Sequence, residues 1–146
     1  MSRRDIFTDV AAILHPIPQP REAGDEDHEG FLEGRHQATE EQRQAEENLR
    51  LAWEEGGQDP LIGALAAARR AKEEAEQRIR ELLAYGREFV QPRPYTLGDL
   101  AAAAGMSISG VRTAYGHRDA DAVATATGGK PREWRAPDPD DGKAST

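Results

Sequence analysis

The sequence predicts an all-α protein, with an N-terminal helical hairpin or coiled-coil-like segment leading into a small helical domain between disordered ends. Three observations carry this. Apolar residues recur at helical spacing through 31–55 and again through 59–90. Glycine and proline pairs, Gly56-Gly57 and Pro92 with Pro94, punctuate those stretches where helices stop. The 146 residues are 37% hydrophobic, 5% aromatic and 32% charged. That is too little apolar material for one core along the whole chain, which points to a small folded unit plus elongated helix.

Residues 1–29 read as a flexible arm. Its "DIFTDVAAIL" can form a short docking helix with Ile6, Val10, Ile13 and Leu14 on one side, or a frayed terminus. In "HPIPQP" the alternate prolines Pro16, Pro18 and Pro20 favour extended chain and exclude a helix. "DEDHEG" is acidic and turn-like.

Residues 30–78 read as a helical oligomerisation segment. From Phe31 to Glu55 the chain is rich in good helix formers, with a thin stripe of Phe31, Ala38, Ala45 and Ala52, joined by Leu49 and Trp53. A stripe so thin needs a partner. The second helix is the stronger: Asp59 caps it, Pro60 opens it, and a 4-3-4-3 count gives Leu61, Leu65, Ala68, Lys72, Ala75, Ile79, Leu82, Gly86 and Phe89. Pairs such as Arg69–Glu73, Arg70–Glu74, Glu74–Arg78 and Glu76–Arg80 stand at four-residue spacing. The two helices can fold back across "EEGGQD" as a hairpin, or the second can pair with its copy in another subunit; a homodimer containing both is favoured.

Charge is uneven. Residues 1–86 hold 11 basic and 19 acidic groups, residues 87–135 hold 7 and 5, and the last eleven hold 1 and 3, within a total of −8. The one basic region contains "LGDLAAAAGMSISGVRTAYG", Leu97 to Gly116. Thr96 can cap a helix Leu97–Ala104, Gly105 breaks it, and Ser107 can cap a second helix Ile108–Tyr115.

This segment resembles the helix-turn-helix of small bacterial, actinobacterial-type transcriptional regulators, and "AGMSISGVR" is similar to their "AGVSxxTVxR" wording. The likeness covers about 20 residues directly and about 50 with the flanking helices. The family has a small residue where the helices cross (Ala101), a turn glycine (Gly105) and a branched plug six residues later (Val111). Further buried positions fall on Leu100, Ala104, Met106 and Ala114. A domain over 79–130 follows, closed by Ile79, Leu82, Leu83 and Phe89. After it comes either a helix capped by Asp119, with Val123 and Ala126 inward, or a wing within 119–134; the helix is preferred. Residues 131–146 read as a disordered tail whose Trp134 can pack back.

The resemblance implies double-stranded DNA as partner. The residues assigned to the DNA surface are Thr96, Ser107, Ile108, Ser109, Arg112, Thr113, His117, Arg118, Lys130 and Arg132. Ile108, Ser109, Arg112 and Thr113 face base edges, and Arg112 is the strongest candidate because guanidinium binds guanine or phosphate bidentately. Ser107 suits a cap near a phosphate. Arg87, Arg93 and Arg135 are further backbone contacts. A net charge of only +2 in this region makes one domain a weak binder, so a dimer is required. The alternative is a helix-turn-helix module that binds RNA polymerase or another regulator through the acidic N-terminal region.

Other classes are disfavoured. Without cysteine there is no disulfide, thiolate metal site or Cys nucleophile. His15, His28, His36 and His117 are scattered without ligand spacing, and Gly128-Gly129-Lys130 lacks the rest of a phosphate loop. The expectation is a non-enzyme without cofactor or metal. No apolar run approaches a membrane span, and the N-terminus lacks a signal peptide's hydrophobic region, so a cytoplasmic location is expected.

Overall fold

A computed structural model describes residues 5–20 and 28–132. Among them every regular element is a helix: α1 (Ile6–Leu14), α2 (His28–Gly56), α3 (Pro60–Glu88), α4 (Leu97–Ala104), α5 (Ile108–Ala114) and α6 (His117–Thr127). The all-α expectation holds, and no wing forms at 119–132, where α6 runs into extended chain. The chain divides into two units, Met1–Arg70 and Ala71–Thr146, with the division inside α3. The acidic residues 25–27 and the tail from 133, with Trp134 and Arg135, lie outside the described residues.

In the first unit α1 is docked along α2. The Asp5 carboxylate caps α1 by accepting from Phe7 N at 3.1 Å, and its other oxygen accepts from Arg50, which also reaches Glu46 at 2.9 Å. The Arg50 guanidinium lies 4.8 Å above the Phe7 ring. At the other end Gln42 donates to the His15 carbonyl at 3.1 Å. The start of α1 thus meets Arg50 and its end meets Gln42, so the helices run antiparallel. Val10 and Ala11 are the buried pair, whereas Ile6, Ile13 and Leu14 of the expected stripe are exposed. The expected stripe of α2, Phe31, Ala38, Ala45, Leu49 and Ala52, is half-buried, and Trp53 is exposed. Gly57 takes φ 64° just past the helix. The extended chain at 16–20 follows its prolines.

Asp59 caps α3 through Oδ1, which accepts from Leu61 N at 3.0 Å and Ile62 N at 2.9 Å. The expected pair Glu76–Arg80 does not form: Glu76 faces Lys72 at 3.9 Å, and Arg80 turns toward Gln77 and Asp119.

The second unit is built on the latter part of α3. Leu83, Ala101 and Val111 form its buried cluster, with Leu97, Leu100, Ala104, Ala114 and Tyr115 packed around them. Gly86 allows α4 to approach closely, since a Cβ there would stand 3.3 Å from Leu100 Cδ2. Gly86 therefore faces α4, and of the residues expected to close the core Leu82 is 61% exposed and Ile79 is exposed too, while Leu83 is buried. Met106, also expected inside, is exposed, because the chain at 105–107 swings out to start α5. Gly105 makes that turn with φ 65°, a conformation that costs side-chain-bearing residues about 1–2 kcal/mol. Asp119 is not the cap of α6, and of the two residues expected to face inward Val123 is buried and Ala126 exposed. Gly116 holds that position, and Asp119, one turn in, accepts from Gly116 N at 2.9 Å and from Gln77 Nε2 at 2.8 Å. Its burial follows from those two donors, with Arg80 3.9 Å away.

Candidate nucleic-acid interface

α5 is short, so its position depends on its ends and its buried side. The Ser107 hydroxyl accepts from Gly110 N at 2.9 Å, which satisfies an orphan donor of the first turn. Val111 is fully buried, and Ala114 packs beside it. With Val111 inward, Ile108, Ser109, Arg112 and Thr113 are left on the exposed side. α4 is held likewise, its cap Thr96 accepting from Asp99 N at 3.1 Å. Both cap hydroxyls keep their own protons available to an acceptor in solvent.

The outer side of α5 carries one cation and no carboxylate. Arg112 makes no ion pair among the described residues and is free to meet an acceptor. Thr113 is more restricted, since its hydroxyl lies 3.2 Å from the Ser109 carbonyl and 3.4 Å from that of Gly110. It donates to its own helix and offers only lone pairs outward. Ile108, 49% exposed, presents an apolar surface of the kind a thymine methyl contacts.

The remaining candidates are dispersed. His117 and Arg118 occupy the first turn of α6 and are exposed. Lys130 is exposed beyond that helix, while Arg132 is drawn back, its N–H donating to the Glu88 carbonyl. The Arg132 side chain shares a polar depression with Arg87, Glu88 and Gln91. Arg87 is already engaged, donating to the Tyr95 carbonyl at 2.8 Å. It orders the chain entering α4, a role that nothing local to its sequence signals.

Of the carboxylates near this surface Glu88 and Asp119 are engaged elsewhere, whereas Asp99 and Asp121 stay exposed. Glu88 accepts from the Tyr115 hydroxyl at 2.8 Å. Burial, then that hydrogen bond, pushes the phenol well above its ordinary range, so Tyr115 stays neutral. Asp119 is buried under Gln77 and Gly116.

Among the described residues no group of three or more His, Asp or Glu side chains is arranged to hold a metal ion. No described helix is long and apolar enough to cross a membrane. Comparison with protein-family models, with curated proteins and with solved structures gives no match.

Proposed function

We propose that this chain is a cytoplasmic DNA-binding protein of the helix-turn-helix class, acting as a homodimeric transcriptional regulator and not as an enzyme. One observation carries the proposal. In a chain of net charge −8, the outer side of α5 holds a free arginine, hydroxyls and an apolar side chain, and no acid. Such a surface suits a groove edge lined with phosphates and base acceptors. The spacing of Ala101, Gly105 and Val111, with Ala101 and Val111 buried, supports the same reading.

Arg112 reads a base or grips a phosphate; Ser107, Ser109 and Ile108 lie against the groove; Arg118 and Lys130 contact the backbone, with Thr96, Thr113, His117 and Arg132 at the margin. The test begins with selection of genomic fragments bound by the purified protein. On a selected site, Arg112→Ala should weaken binding by about tenfold or more, the scale of one bidentate contact. Equal affinity of variant and parent at moderate salt sinks this use of α5.

A second reading is favoured by α2, where Glu54 and Glu55 are exposed near its end. There the acidic N-terminal region binds a basic surface on a polymerase or another regulator. Retention on such a protein, with none on DNA or heparin, distinguishes it.

A further inference from the structure

The exposed side of α3 within the second unit does not fit a helix that ends its packing at its own core. Leu82 is 61% exposed and Tyr85 is 43% exposed, and the Tyr85 ring stacks on Phe89 with centroids 6.2 Å apart. Leu82 stands as a ridge between two apolar grooves. One, of about 290 Å³, is floored by Val123 and Ala126 of α6; the other, of about 170 Å³, lies against Leu100 and Ala103 of α4.

We propose that this ridge and its two grooves are the docking surface for a second copy of this chain. A ridge flanked by grooves is self-complementary: turned about a two-fold axis, each Leu82 enters a groove of the other copy. The charges agree. Among the described residues the only ionic side chains lining either groove are Arg78 and Glu81, one of each sign, in the larger. An antiparallel crossing sets Arg78 of one copy toward Glu81 of the other. Two chains of charge −8 repel at most approaches, and this neutral apolar patch is a place where they can meet. A small molecule would fill one groove and leave Leu82 and the other groove wet. A nucleic acid would find a single arginine.

The contact refines the dimer in the function proposed above. It places the association in the same unit as α5, so the spacing of the two α5 helices is fixed by rigid packing and not by the helices upstream.

The test is the mass of the full chain by sedimentation or light scattering. The parent should be a dimer, and Leu82→Glu a monomer with unchanged helical circular dichroism, because the side chain replaced is already exposed. Arg78→Glu should weaken the dimer, and Arg78→Glu with Glu81→Arg should restore it. A monomeric parent overturns the inference. So does a Leu82→Glu protein that stays dimeric, including the case where Leu65→Glu alone dissociates it and thereby places the contact upstream. The two proposals fail separately: a Leu82-dependent dimer that binds no DNA removes the DNA reading and leaves this one, and a monomeric parent that shifts DNA removes this one together with the homodimer and leaves the DNA reading.

Discussion

Val111 has no exposed surface, and its two methyl groups fill the space between Leu83 and Ala101. Val111→Ala removes those methyls from a cluster too small to close over the gap. We expect a loss of about 2 kcal/mol, read by urea denaturation, from the lost burial plus the cavity left behind. Gly105→Ala should cost about 1 kcal/mol for a different reason, since the alanine must hold φ near 65° although open space surrounds its Cβ. An alanine variant as stable as the parent would show that the turn had relaxed out of that conformation. These two residues are legible in the sequence, because a branched plug and a turn glycine serve needs set within a few residues of themselves. Met106 and Leu82 are not. Whether an apolar side chain at those positions is covered depends on how the chain leaves α4 and on which side of α3 the α4 helix crosses. Gly86 settles the latter by admitting Leu100, which leaves Leu82 outward. At the candidate interface the exposed side of α5 is likewise legible, but the loss of the Thr113 proton to its own helix and the engagement of Arg87 by Tyr95 are not.

At the scale of elements, local chemistry again sorts what can be foreseen. Asp59, Thr96 and Ser107 each accept from a backbone N–H two or three residues ahead, so those helix starts follow from short sequence windows. The docking of α1 follows from no window, since Arg50 lies far along the chain from Asp5 and Phe7. That distant pairing also makes α1 sensitive to acid. The hydrogen bond from Arg50, and next that from Phe7 N, hold the Asp5 carboxyl below the ordinary carboxylate range. A group with a lowered folded-state pKa adds stability above its unfolded pKa and loses it as pH falls through the folded one. The attachment of α1 should therefore be unchanged near neutrality and weaken only in acid below the ordinary carboxylate range. The ring-current shift of Phe7 on the Arg50 side-chain protons reports it directly. Asp5→Asn keeps a capping oxygen but no charge, so its α1 should be looser at neutral pH and lack that acid transition. A transition of undiminished size in the variant would assign it to another carboxyl and remove this role from Asp5.

For the whole molecule the decisive quantity is how few cations an acidic protein commits to a polyanion. The pI is about 5.0, and the candidate surface offers Arg112, Arg118, Lys130 and Arg132 as its cations. If those four each displace one condensed counterion, the logarithm of affinity should fall with the logarithm of salt with a slope of about −3.6 per subunit, and about −7 for a dimer on two half-sites. Long-range repulsion from the net −8 lowers affinity overall but does not itself release counterions, so it shifts the line more than it tilts it. The slope thus counts contacting cations, whereas the intercept reports the acidity of the rest of the chain. Titrating a selected DNA site at several salt concentrations separates the two. Arg112→Ala should reduce the slope by about one unit per subunit if the guanidinium lies on a phosphate, and leave it nearly unchanged if it lies on a base edge. The Leu82→Glu protein should show the single-subunit slope even on DNA with two half-sites. A parent slope near zero would mean that phosphates are not neutralised at all, and the outer side of α5 would then have to be assigned to a protein surface.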